Sequence, residues 1–295
     1  MNGSKRIKYY IKKNMPKCCY PFLIELQYYK KKKYFFDFNN PKTFCEKIQW
    51  AKLCRRDAIF THLTDKIAVR DYVREKIGNK YLVPLIGGIY NDSEDIDFEK
   101  LPNEFVIKTN HGCGCNIIVL DKSRLDVVEV KKKIRQWINH NYAYDMFELQ
   151  YKDIVPKIYI ERNLLSVSHG NLADYKFFCF NGKVFCIYVM TDGYPDHSKS
   201  KLGIFDRNFN LMDYRRKDFC PIDKQLDKPI NYDHMVEIAE KLSEGFSHVR
   251  VDLYNIEGNI YFGEMTFTTG GGYFEHVPEE FDTILGEQWN LNSGL

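Results

Sequence analysis

The 295-residue chain contains no run approaching the roughly 18 to 20 apolar residues that a membrane-spanning helix needs, and its first residues are too basic and too broken in apolarity for a signal peptide. The expected compartment is therefore the cytoplasm, with the inner face of the membrane within reach of the basic N-terminal stretch. Paired Cys-x-x-Cys knuckles are also missing. The nine cysteines are scattered and odd in number, which argues against an extracellular disulfide framework and for reduced thiols. There is no Gly-x-x-x-x-Gly-Lys-Ser/Thr loop, no internal repeat, and no RRM, KH or helix-turn-helix signature, so nucleic acid is not an expected partner.

What is present is an ordinary apolar share, 44%, enough to bury a substantial core. Charge is distributed unevenly. Residues 1–33 hold ten Lys/Arg and one Glu, leaving 33 Lys/Arg against 39 Asp/Glu in the rest, so +9 faces −6. The block Lys30 to Lys33 lies beside Tyr28, Tyr29, Tyr34, Phe35 and Phe36. Residues 1–33 read either as a solvated extension or as a contact for anionic lipid or glycan.

Helical patterning runs from Pro41 to Gly78, with Thr43 and Thr64 placed as N-caps. Two strands, Glu104 to Thr109 and Asn116 to Leu120, flank the glycine loop His111-Gly112-Cys113-Gly114. A helix at about 126–141 and a strand at Ile158 to Arg162 follow. Asn181-Gly182 joins Tyr175 to Phe180 with Lys183 to Met190 through a tight type I′ turn. A helix from Asp233 to Phe246 leads into a second hairpin, Val249 to Leu253 and Asn259 to Phe267, around Glu257-Gly258. The class is α+β with mostly antiparallel sheet.

Alternation along strands puts Arg250 with Asp252 on one face, and Glu264 with Thr266 on the partner strand. Hairpin pairing brings the two carboxylates close, where they repel unless a cation sits between them. Hard oxygen ligands of this kind suit Mg²⁺ carrying nucleotide phosphates, and solvated carboxylates are the plainer alternative. Lys108 ends an apolar strand at the mouth of the glycine loop, whose backbone N–H groups can approach phosphate oxygens. Lys176 lies in an aromatic strand and needs an anionic partner, which Asp174 on the same face can be. His111, Cys113 and Cys115 have the residue types of a zinc site but not its spacing, so a phosphate-covering loop is the preferred reading.

Asn40-Pro41-Lys42-Thr43-Phe44, Thr64-Asp65-Lys66, EFVIKTNHGCGCNIIV, DYKFFCFNGK and RVDLYNIEGNIYFGEMTFTTGGG occur in this order, and over roughly Asn40 to Trp289 the sequence resembles the TupA-like branch of the ATP-grasp superfamily, known from teichuronopeptide and capsular polysaccharide gene products. The resemblance implies an ATP-grasp fold with a mobile lid of about residues 104–162, a core of about 163–295, and residues 1–40 as an extension before the 41–295 domain. It implies that Lys108, His111, Gly112, Cys113 and Gly114 close over ATP and that Glu161 leads into the adenine hinge. Lys176 becomes a second phosphate-facing cation, Arg250 faces the transferred phosphoryl group, and Asp252 and Glu264 ligate magnesium. Thr266 occupies the third ligand position, where the superfamily usually has Asn. The implied reaction is ATP-dependent joining of a carboxylate, a uronic acid or amino acid, to an amine through an acyl phosphate. A sugar kinase, a glycosyltransferase and a non-catalytic carbohydrate-binding protein are the competing classes.

Overall fold

A computed structural model describes residues 3–168, 170, 172–193 and 200–295, with side chains from residue 7 onward. In chain order the helices are α1 (Gly3–Asn14), α2 (Tyr20–Lys32), α3 (Phe44–Cys54), α4 (Ala58–Thr64), α5 (Val69–Lys76), α6 (Val127–Ile138), α7 (Ala143–Met146), α8 (Leu164–Val167), α9 (Tyr232–Ser243) and α10 (Glu280–Gln288). The strands are β1 (Leu85–Tyr90), β2 (Phe105–Thr109), β3 (Asn116–Val119), β4 (Ile158–Glu161), β5 (Asp174–Phe180), β6 (Lys183–Thr191), β7 (Lys201–Asp206), β8 (Arg215–Arg216), β9 (Cys220–Pro221), β10 (His248–Ile256), β11 (Asn259–Thr266) and β12 (His276–Val277). Among the described residues, no helix is long and apolar enough to cross a membrane.

Local chemistry explains where elements begin and turn. Thr43 caps α3 in a capping box, taking the Glu46 N–H while the Glu46 carboxylate takes the Thr43 N–H at 3.2 Å. The second expected cap is displaced by one residue. Thr64 is the last residue of α4, and the extended Asp65 instead accepts the N–H groups of Ile67 and Ala68 at 2.8 and 3.2 Å. Both hairpins turn as their dipeptides require: Asn181 and Gly182 have φ of 49° and 74°, Glu257 and Gly258 of 51° and 86°.

Six strands form one sheet in the order β11-β10-β5-β6-β7-β9, antiparallel except for the short β7–β9 pair. One face carries Phe177, Val249, Val251, Leu253 and Met265 against α9; the other carries Phe178, Phe180, Tyr188 and Ile204 against α2, α3 and α10. Burial on both faces explains the nearly unbroken apolar run Tyr175 to Phe180. A smaller antiparallel sheet, β1-β4-β2-β3, has its own core of Phe105, Ile107, Ile158 and Ile160 against Val130 and Ile134 of α6. Its edge strand β1 starts at Leu85, upstream of the expected lid boundary at 104.

The basic N-terminal stretch is not solvated along its whole length. Tyr20, Ile24 and Tyr28, at 4%, 0% and 0% exposure, repeat every four residues along α2 and join the core beside Phe44 and Phe281. Within the lysine block, Lys32 donates to the Phe274 carbonyl at 2.6 Å and faces Asp282 at 3.9 Å.

Candidate active site

Between the two sheets lies a cleft of about 350 Å³. Its walls bring together Lys108 and Gly112, Cys113 and Gly114 from the small-sheet side, with Lys176, Asp252 and Glu264 from the large sheet. Strand register does this work. Asp252 pairs with Lys176 of β5 on one side and with Glu264 of β11 on the other, while Arg250 pairs with Thr266. A bulge at Gly263 changes the register just before Glu264, a device that re-aims a side chain at a sheet edge.

The two carboxylates expected to repel already have a cation between them, and it is Arg250. Its Nε and Nη2 donate to Asp252 at 2.7 and 2.8 Å, and Nη2 also donates to Glu264 Oε1 at 2.9 Å and to the Thr266 hydroxyl at 3.0 Å. Arg250 is 8% exposed and lies beneath the carboxylates rather than on the cleft wall. Thr266 donates onward to Glu264 at 3.1 Å, so its hydroxyl is committed to this network. Lys176 bridges Asp174 and Asp252, the latter at 2.8 Å. Burial alone would lower the Lys176 pKa, but Asp174 and Asp252 outweigh it and hold the ammonium above its ordinary range. Glu264 is similar in logic: its recessed position would raise its pKa, yet Lys66, Arg250 and Lys176 bring it down to about 2.

On the facing wall, Lys108 pairs with Glu161, its diagonal neighbour across β2 and β4. The loop after Lys108 needs glycine twice. Gly114 has φ +69°, and a Cβ at Gly112 would lie 2.6 Å from the Tyr142 ring. Tyr142 also meets the Cys115 sulfur at 2.7 Å. The His111 imidazole turns away from the cleft, where burial lowers its pKa and its Nε2 lies 3.0 Å from the Trp137 carbonyl. His111 therefore reaches the cleft through backbone alone. Among the described residues, no group of three His, Cys, Asp or Glu side chains is arranged to hold a metal by itself.

Two residues have roles in the site that sequence reasoning does not assign. Lys66 donates to the Gly112 carbonyl at 2.8 Å and faces Glu264 Oε2 at 3.7 Å, so it ties the glycine loop to the large sheet. The sequence offers it only within Thr64-Asp65-Lys66, with no role attached; its place beside Asp65, which accepts from Asn110 at 2.9 Å, brings it to the loop. Asp174 was legible as a partner for Lys176, but its Oδ1 is buried with no hydrogen-bond partner, an orphan acceptor in the cleft wall. Asp174, Asp252 and Glu264 carry hard-oxygen donors of the type Mg²⁺ takes, so their chemistry fits that ion if nucleotide phosphates complete the ligand set.

A narrower recess continues from the cleft past Lys108, Asn116 and Tyr254, with Val106, Ile118, Leu164 and Leu172 on its walls and Glu161, Arg162 and Asn163 along its rim. Asn163 caps α8 through Oδ1 and leaves its buried Nδ2 without a partner. An apolar slot edged by backbone and one spare amide donor is suited to a flat heteroaromatic ring. The Asp95-Ile96-Asp97 triplet, the pattern a metal-dependent glycosyltransferase would present, has both carboxylates engaged in turn capping, with Asp92 N and Glu99 N at 3.2 Å.

The family model for TupA-like ATP-grasp proteins matches residues 46–290. The chain belongs to the TupA-like ATP-grasp family. That match covers both sheets and every cleft residue named above. Solved structures similar to this TupA-like chain include D-alanine–D-alanine ligase from Bacillus anthracis complexed with ATP (15% identity, 70% of this chain and 55% of that one, TM-score 0.40) and L-amino acid ligase from Bacillus licheniformis (14%, 77% and 49%, TM-score 0.45). D-Alanine–D-alanine ligase from Helicobacter pylori is a third, at 14% identity over 77% of this chain and 61% of its own, with a TM-score of 0.41. The TupA-like chain thus spans about half to three-fifths of the length of these ligases. No curated protein matches it.

Proposed function

We propose that the protein is an ATP-dependent carboxylate–amine ligase that works through an acyl phosphate in capsular or other cell-surface polysaccharide synthesis. The observation that carries this reading is the convergence in one cleft of Lys66, Lys108 and Lys176 and a glycine loop with the carboxylates Asp174, Asp252 and Glu264. Such a cleft suits a polyphosphate whose far end reacts with another anion. The recess beyond Lys108 takes the adenine, with Glu161 to Asn163 as the hinge that reads it. The small sheet and its loop act as the lid that excludes water from the reactive anhydride.

Asp174, Asp252 and Glu264 hold Mg²⁺ in this reading, and the bound ion supplies charge neutralisation to the phosphate oxygens. Lys108 and Lys176 offset the repulsion as the substrate carboxylate attacks the terminal phosphorus and ADP leaves. Arg250 keeps the carboxylates aimed while Lys66 holds the glycine loop down. An amine then attacks the acyl carbon, phosphate departs, and the amine gives up a proton. Uronic acids and amino acids are the carboxylates to try first, and the polysaccharide setting follows from the family resemblance.

The test is incubation with ATP, Mg²⁺, hydroxylamine and a panel of uronic and amino acids. Hydroxamate together with released phosphate supports the ligase. A stable phosphoester would instead favour a kinase acting on a hydroxyl, and absence of any thermal shift with Mg²⁺ and ATP would overturn nucleotide use altogether.

A further inference from the structure

Helix α1 presents its apolar stripe outward. A surface helix of a globular protein normally turns that stripe to the core and its charges to water. Here Ile7, Tyr10 and Ile11, spaced i, i+3 and i+4, are 63%, 68% and 51% exposed. At 100° per residue they share one face, with Lys8 and Lys13 on its two flanks. The opposite face is the docked one. The Tyr9 ring lies tilted against His140 at 4.6 Å between centroids and its hydroxyl accepts the Asn141 N–H at 3.2 Å, while the Lys12 ammonium bonds the Asp145 carbonyl and lies 5.0 Å from the Phe147 ring centre. The helix is thus held in one rotation about its axis, with the apolar stripe facing solvent.

We propose that α1 is an interfacial anchor for an anionic bilayer surface, with Ile7, Tyr10 and Ile11 entering the headgroup boundary and the flanking lysines meeting lipid phosphates. An apolar stripe between basic flanks is what such an interface selects. An anionic polymer would be matched by the lysines alone and would leave the three apolar side chains in water. A second copy stacked stripe to stripe would set the lysine flanks of both chains against each other. The proposal is independent of the chemistry in the cleft.

The experiment is sedimentation of the full chain with vesicles of phosphatidylcholine alone or mixed in equal parts with phosphatidylglycerol. Binding is expected only to the mixed vesicles, weakening as salt shortens the screening length from about 10 Å at 0.1 M to about 3 Å at 1 M. The variant I7S/Y10S/I11S alters only exposed side chains and should keep its thermal midpoint while losing roughly tenfold or more in vesicle affinity. K8E/K13E should likewise lose affinity for the mixed vesicles while keeping its thermal midpoint. Wild-type binding by the serine variant, or capture of wild type by dextran sulfate but not by vesicles, would overturn the proposal in favour of a purely electrostatic polymer contact. A concentration-dependent dimer abolished by the serine substitutions, without vesicle binding, would overturn it in favour of a second copy.

Discussion

The large and small sheets place charge at the same cleft by different means. In the large sheet, Lys176, Asp174, Asp252, Arg250, Glu264 and Thr266 bond to one another across three strands, over a face packed on α9. In the small sheet, Lys108 and Glu161 meet at strand ends, and the loop beyond them is held by a few contacts from Lys66 and Tyr142. One side is a fixed template whose charges are also structural. The other rests its charges on fewer contacts, and in the proposed reading a rigid-body shift carries them. The proposed ligase reaction, which would admit a polyphosphate and then shut out water, calls for both.

Breaking the template should have the largest effect. Asp252→Asn removes the shared acceptor of Arg250 and Lys176, so it should lower turnover roughly a hundredfold, about 2.7 kcal/mol, and also destabilise the fold by about 3–5 kcal/mol. Glu264→Gln should cost similar activity with much less stability, because its side chain is 35% exposed to the cleft. Urea unfolding beside phosphate-release rates separates the two effects. Equal stability losses would mean that the network is not anchored on Asp252.

The two lysines test the contrast directly. Lys176→Ala and Lys108→Ala should each weaken nucleotide turnover by about tenfold or more. Lys176→Ala should bring the larger drop in unfolding midpoint, since it strands Asp174 and leaves Asp252 to Arg250 alone. If Lys108→Ala destabilised the protein as much, the small sheet would be as rigid a template as the large one.

Smaller still is Gly112→Ala, which sets a methyl against the Tyr142 ring and should prop the loop open. The expected loss in kcat/KM for ATP is roughly threefold to tenfold, about 1 kcal/mol. Adding Tyr142→Ala should recover part of it, a non-additivity that places the effect in this contact.

Acid should act through two buried histidines, His248 of β10 and His276 of β12. Burial holds His248 and His276 near pKa 3 in the fold against an ordinary 6.5. The unfolded chain therefore takes up protons that the fold refuses between those values. Stability is fully present above pH 6.5 and declines as pH falls toward 3, by up to about 1.4 kcal/mol per pH unit for each histidine. His248→Gln should remove one of these contributions, read as a shallower dependence of the urea midpoint between pH 7 and 5. An unchanged slope would locate acid sensitivity elsewhere.

The hairpins were legible because Asn181-Gly182 and Glu257-Gly258 state their turn in two residues, and alternation then placed Arg250, Asp252, Glu264 and Thr266. Lys66 was legible only as part of Thr64-Asp65-Lys66 and not as a site residue, since a lone lysine between two short helices acquires a role only when the chain closes. Thr64 failed as a cap because helix continues through it and leaves Asp65 to turn the chain. Net charge hid the packing of α2, although Tyr20, Ile24 and Tyr28 already carried the period that reveals it. Charge counts sum over a segment, whereas burial is decided one face at a time.

The bulge at Gly263 has a further consequence. Ile260 and Phe262 face the interior, and so do Met265 and Phe267, so the strand changes the parity of its inward positions partway along. Removing Gly263 would restore unbroken alternation and a flush hairpin, with every charged residue retained. It would also remove the local twist beside the Asp252 carbonyl, which a Cβ at this position would approach to 3.1 Å. The expected product is a more regular sheet in which Glu264 keeps its face but loses the local twist that aims its carboxylate. In this strand, one surplus residue acts as a sighting adjustment, and a deletion that improved the fold would blind the site.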